Sequence, residues 1–113
     1  MHEIGIVQDI FNTLREAYPE RYNDIVKISL EAGLLSNLQP ILIQNAFEAY
    51  ILGDPQLQDT ELDVSILPII AYCKSCAQPF EVLQHRFVCP CGQSSDTILQ
   101  GEELRIKSVL FKT

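Results

Sequence analysis

The sequence predicts an α+β fold: a three-stranded sheet with two helices on one face, and a small cysteine-bearing lobe inserted before the last strand. Three observations carry this. Two segments repeat apolar residues in steps of three and four, three others alternate apolar with polar residues, and all four cysteines fall between residues 73 and 91.

Each element follows in chain order. Over residues 4–18, Ile4, Val7, Ile10, Phe11, Leu14 and Tyr18 share one helical face, opposite Gln8, Asp9, Asn12, Arg15 and Glu16. Pro19 closes that helix, because the residue before a proline resists helical backbone angles. From Ile25 to Ala32 the pattern becomes strict alternation, with Val26, Ile28, Leu30 and Ala32 on one side and Lys27, Ser29 and Glu31 on the other. That is a half-buried strand, ended by Gly33. A second helix is expected from Pro40 to Leu52, with Ile43, Ala46, Phe47, Tyr50 and Ile51 inward. Proline suits the first helical turn and Gly53 suits the C-terminal cap. Leu62, Val64 and Ile66 then alternate with Glu61, Asp63 and Ser65 in a second strand, which stops at Pro68.

After Pro68 the texture changes. Ile69 to Tyr72 is short and extended, and residues 73–97 hold few aliphatic groups; Phe80, Val82, Phe87 and Val88 suffice for two very short hairpins but not for a core. The last strand, Leu104 to Phe111, is expected to point Leu104, Ile106, Ser108 and Leu110 one way and Arg105, Lys107, Val109 and Phe111 the other. The chain thus divides into a body, residues 1–70 with 98–113, and a metal-stapled lobe, residues 71–97.

Composition excludes several classes of function. The hydrophobic share of 47% is that of a globular chain. The formal net charge is −7, and the eight basic residues are scattered, so nucleic acid and anionic membranes are disfavoured as partners. There is no apolar run near the roughly 20 residues of a membrane span, and no secretory signal pattern. The expected location is the cytoplasm, where paired cysteines read as metal ligands before disulfides.

Cys73 and Cys76 form a C-x-x-C, Cys89 and Cys91 a C-x-C, with twelve residues between the pairs. Two thiolates on one tight turn can face a single ion, and two such turns close a tetrahedron. Four soft sulfurs favour Zn(II) or iron–sulfur chemistry; separate turns in a short hydrophilic segment favour zinc, hence a zinc-ribbon-like lobe. His85, four residues before Cys89, is a possible substitute ligand. The competing readings are a redox dithiol at Cys73 and Cys76, which lacks a thioredoxin-like strand–helix context, and four free buried thiols.

The chain opens Met1-His2-Glu3. A histidine there is commonly just solvated. Yet a free α-amine, the His2 imidazole and the amides of His2 and Glu3 can lie in one plane, a nitrogen set that Ni(II) or Cu(II) accepts and zinc does not favour. Catalysis is not expected: no nucleophile elbow, phosphate-cradling glycine loop or H-E-x-x-H is present.

Met1-His2-Glu3, the segment Leu30-Glu31-Ala32-Gly33-Leu34-Leu35-Ser36, Ala46-Phe47-Glu48, the two cysteine pairs and the ending Gly101-Glu102-Glu103-Leu104-Arg105-Ile106-Lys107-Ser108 together resemble the HypA/HybF family. The resemblance runs, in order, over nearly the whole chain. It implies a nickel metallochaperone for nickel–iron hydrogenase maturation, with Ni(II) at Met1, His2 and Glu3 in the body and structural Zn(II) at Cys73, Cys76, Cys89 and Cys91. The C-x-C departs from the family's usual second C-x-x-C. The partners it implies are the GTPase HypB, the hydrogenase large subunit and urease accessory proteins, with the chain a monomer or weak homodimer. The alternative is a zinc-ribbon adaptor that binds protein and has no nickel role.

Overall fold

The computed structural model describes residues 3–112. The helical steps of three and four give α1 (Glu3–Ala17) and α2 (Pro40–Leu52), and the alternating segments give β1 (Ile25–Gly33), β2 (Glu61–Leu67) and β6 (Leu104–Phe111). These strands form one sheet in the order β2-β1-β6. β1 and β2 are parallel, which requires a crossover, and α2 supplies it. β6 returns antiparallel to β1. Both helices cover one face: Val7, Phe11 and Leu14 of α1 and Ile43 and Phe47 of α2 meet Ile28 and Leu30 in one buried cluster. The Phe11 ring, fully buried, stacks on Tyr50 at 4.6 Å and on Phe47 at 5.9 Å, and meets Tyr22 edge-on at 6.4 Å. The polar residues of β1 take the other face, where Glu31 accepts from Arg105 Nε at 2.8 Å.

Three expectations change in detail. Ile6, not Ile4, is the buried isoleucine of the first turns, at 5% against 42% exposure. Helix α1 ends at Ala17, so Tyr18 lies beyond it and packs its ring edge-on against Phe111 at 5.1 Å. The third change concerns phase. Ser108 pairs with Ser29 and Ile106 with Leu30, which leaves Lys107 as an extra residue in β6. Such a bulge reverses the alternation beyond it. Leu104 and Ile106, then Val109 and Phe111, therefore pack on the core, while Ser108 and Leu110 are exposed. A second irregularity leaves Val26 unpaired, so Ile25 rather than Val26 joins the buried cluster.

Pro68 separates β2 from β3 (Ile69–Cys73), and the chain enters a second sheet. That sheet has the order β4-β3-β5, with β4 (Gln78–Val82) and β5 (Ile98–Gln100) flanking β3. Two short hairpins without a core were the expectation for this region. Instead the extended stretch at 69–72 becomes a central strand, and its inward residues Ile69 and Ala71 join Val82 in a small buried cluster. Phe80, Phe87, Ile98 and Leu35 pack around it. Strand pairing thus draws residues 69, 70 and 98–100 into this sheet.

The direction of α1 follows from its contacts. Ile6 and Ile10 line a groove of about 360 Å³ with Leu104 and Ile106, whereas Tyr18, beyond its other end, meets Phe111. Helix α1 therefore begins at the end of the first sheet where β6 enters, the end to which the second sheet is attached. Neither helix is long and apolar enough to cross a membrane.

Candidate metal centre

Each cysteine pair sits on a turn that the local backbone explains. Cys73 ends β3 and pairs with Gln78 of β4, so residues 74–77 form the connecting turn. Ala77 closes it in the left-handed region, at φ 56°. The amide of Cys76 donates to Cys73 Sγ at 3.4 Å, an orientation that favours sulfur as thiolate. The C-x-C needs a tighter turn, and it has one. The amide of Gly92 donates to the Cys89 carbonyl at 2.8 Å, the amide of Cys89 donates to the Gln93 carbonyl at 2.8 Å, and Gly92 takes φ 95°. A residue with a side chain is strained at that angle, so Gly92 permits the single-residue spacing. The sequence reading did not single it out, although a glycine directly after a C-x-C is a visible turn signal.

The two turns bring all four sulfurs within 4.8 Å of one another. Cys73 Sγ lies 3.7 Å from Cys91 Sγ, and Cys76 Sγ lies 3.8 Å from Cys89 Sγ. A tetrahedral zinc with bonds of about 2.3 Å has sulfur–sulfur edges of about 3.8 Å. A disulfide would need about 2.05 Å. The donor set is soft, the edges fit, and the residues match a four-thiolate cage for one tetrahedral metal ion, as zinc would require. Cys73 and Cys89 are buried and Cys76 and Cys91 exposed, so the cage is anchored at the sheet and open toward solvent. His85 stands apart from this group, exposed at φ 59° in the turn that joins Leu83 to Arg86.

The four thiols lie close together, and their protons are unequally held. The Cys91 thiol is brought down to about 7, first by the backbone amide of Gln93 and then by hydrogen bonds from the neighbouring thiols. Cys76 is pushed up to about 12, chiefly because it donates to Cys91, then to Cys89 and Cys73. One thiolate is stabilised at the expense of another, and a divalent ion resolves the conflict by taking all four as thiolates.

The proposed nickel residues are placed differently. Glu3 is the first residue of α1, half-buried, and Met1 and His2 lie outside the described residues. The four cysteines converge; Glu3 stands in the other lobe, at the start of α1.

Comparison with known proteins completes the description. A family model described as hydrogenase/urease nickel incorporation, metallochaperone, HypA matches residues 1–111. The hydrogenase maturation factor HypA of Shewanella sp. strain MR-7 is 32% identical over 106 residues, covering 92% of this chain and 89% of the relative. The factor of the same name from Desulfitobacterium hafniense strain DCB-2 is 31% identical over 111 residues, covering 96% of each. Among solved structures, that of the Ni metallochaperone HypA from Helicobacter pylori shares the fold with a TM-score of 0.70 at 24% identity, over 98% of this chain and 97% of that one. With a family match that begins at residue 1 and takes in both cysteine pairs, the chain belongs to the HypA family of hydrogenase and urease nickel-incorporation metallochaperones.

Proposed function

We propose that this chain binds Ni(II) at its N-terminus and delivers it to the large subunit of a nickel–iron hydrogenase during maturation, while Zn(II) held by Cys73, Cys76, Cys89 and Cys91 gives the second lobe its shape. The observation that carries the nickel assignment is the family match from residue 1 in a chain that opens Met1-His2-Glu3.

The local physics of α1 supports it. The first four amides of a helix have no acceptor within the helix. The amide of Glu3, at the helix start, can therefore lose its proton to a metal without breaking the ladder behind it. A helix N-terminus repels cations, but deprotonated amides bring their own negative charge, and the Glu3 carboxylate adds more in the first turn. The site would combine the Met1 amine, the His2 imidazole and the amides of His2 and Glu3. Ligands at a chain terminus can be exchanged one at a time, so cargo passes to a partner without unfolding the domain. The cage, in contrast, takes its ligands from two turns pinned to a sheet, and suits a resident ion. In this reading the body, residues 1–70 with 98–113, carries the cargo and residues 71–97 the structural metal. The partners are the GTPase HypB and the hydrogenase large subunit, with urease accessory proteins as a further recipient route, all in the cytoplasm.

The test is a Ni(II) titration of untagged protein with a free first residue, beside His2→Ala and an N-terminally acetylated form. Both altered forms are expected to lose high-affinity nickel and keep one zinc per chain. Equal nickel affinity in all three would sink the assignment, and the adaptor reading would then stand.

A further inference from the structure

The two lobes meet at a contact tighter than the two chain crossings require. A Cβ on Gly33, the last residue of β1, would lie 2.1 Å from the Gly101 carbonyl oxygen, 2.2 Å from its carbon and 2.8 Å from the Glu102 nitrogen. Those are backbone atoms and cannot swing aside. The φ of Gly33 is an ordinary −65°, so what the position demands is the missing side chain, not backbone freedom. Gly101 is constrained twice over: it sits at φ 128°, and a Cβ there would meet the Ile69 Cα at 3.1 Å.

The approach is held by hydrogen bonds on both sides. The amide of Gly33 donates to the Glu103 carbonyl at 2.7 Å, and the amide of Leu35 donates to the Gly101 carbonyl at 2.7 Å. The Gly101 amide in turn donates to the Glu103 carboxylate at 3.1 Å. Beyond Gly33 the chain makes a 3-10 turn, Leu34–Ser36, in which Ser36 Oγ donates back to the Gly33 carbonyl at 2.7 Å and accepts from the amide of Leu38. That turn projects Leu35 out of its own lobe. Its side chain packs with Ile69, Ala71 and Val82, the buried cluster of the second sheet.

We propose that Gly33, Gly101 and Leu35 form a fixed joint that sets the angle between the cysteine lobe and the lobe whose α1 begins at the same end. Leu35 is the positioning residue: a half-buried side chain of the first lobe packed against the buried cluster of the second. The two glycines let the backbones close far enough for it to reach. The joint stands on geometry alone. Its meaning for function rests on the nickel reading above, since it would present the cage and the cargo-bearing terminus to a partner at one angle.

The experiment is a measurement of residual dipolar couplings on full-length, zinc-loaded protein, for wild type, Gly33→Ala, Leu35→Ala and Leu35→Met. The wild type is expected to fit one alignment tensor over both lobes. Gly33→Ala and Leu35→Ala should need two, with zinc content and shifts far from the joint unchanged, and the volume-conserving Leu35→Met should restore one. Any core substitution can lower a melting temperature; only the shared tensor reports the angle. Should Gly33→Ala fail to fold, the two Leu35 variants decide. A single tensor in Leu35→Ala, or two in the wild type, overturns the joint. Nickel affinity is read in the same samples and is expected to be equal in wild type and Leu35→Ala. A wild type that takes no nickel ends the functional reading and leaves the joint intact.

Discussion

Removing the metal should unfold one lobe and spare the other. The apolar cluster at the centre of the second lobe holds three buried residues, Ile69, Ala71 and Val82, with Leu35, Phe80, Phe87 and Ile98 half-covered around them. Burying a Val or Ile side chain contributes roughly 1.5–3 kcal/mol, so these three residues supply about 5 kcal/mol. A structural four-thiolate zinc contributes on the order of 10 kcal/mol to folding. The larger of the two terms is thus the one a chelator takes away. The first lobe has ten buried residues in its cluster, none of them a cysteine. Its stability should not follow the metal. The assay is amide hydrogen exchange before and after a strong chelator, with elemental analysis to establish that the ion has gone. The amide of Tyr72, bonded to the Thr97 carbonyl, and that of Cys89, bonded to the Gln93 carbonyl, should lose their protection. Amides of α1 and β1 should keep theirs, except at the joint, where the Leu35 amide bonded to Gly101 should weaken. Undiminished protection at Tyr72 and Cys89 in metal-free protein would refute the claim that the ion holds this lobe. Loss in α1 as well would refute the claim that the lobes are separate cooperative units.

Other outcomes follow from the same geometry. Phe11→Ala should destabilise the first lobe by about 3–5 kcal/mol, since a fully buried ring with three aromatic neighbours is lost; urea midpoints of zinc-loaded protein measure it. Deleting Lys107 should straighten β6 and still point Val109 and Phe111 inward, because Ser108 then follows Ile106 in unbroken alternation, so the urea midpoint should change little; a loss of about 3 kcal/mol, the burial of those two side chains, would mean that Lys107 is not the extra residue. Zinc affinity should rise with pH through neutrality. Each of the four thiols must give up its proton to bind, so acid competes with the ion; cysteines of an unfolded lobe titrate at about 8.5, so an indicator-dye titration at pH 7 should count about four protons released per zinc.

How much of this was legible in the sequence depended on what decides each element. Helix α2 obeys a single periodicity over its whole length, and β1 and β2 do so except at one end each, where Ile25 is buried in place of Val26 and Leu67 in place of the exposed Ile66. Pro40, Gly53 and Gly33 punctuate the chain where the structure does. Periodicity carries no sign of a bulge, because the extra residue looks like any other until pairing counts it. Lys107 therefore reversed the apparent faces of Val109 and Phe111. The second sheet was hidden for a different reason. Its central strand is five residues long and apolar throughout, with no alternation to mark a face, and β5 is three, too short to register as a strand without its partners. The cysteine pairs were the most legible part of the site, because ligand spacing is itself a constraint on geometry. The turn that accepts the C-x-C was not, since it depends on the φ of Gly92 and on where two amides point.

Charge joins the two proposed metal sites to the rest of the chain. Four thiolates around a divalent ion make a doubly negative centre, which adds to a formal net charge already at −7. Lys74, inside the first cysteine turn, is the basic residue nearest in sequence to that charge. An acidic protein concentrates cations near its surface, with an effect that fades over about 10 Å at 0.1 M salt. Capture of Ni(II) at the start of α1 should accordingly slow as salt is raised, while zinc in the cage, once bound, should not respond, because direct metal–sulfur bonds and not long-range attraction would hold it. If stopped-flow nickel uptake proved independent of ionic strength between low and physiological salt, the acidic surface would have no part in loading. The attraction would then have to come from Glu3 and its immediate neighbours alone.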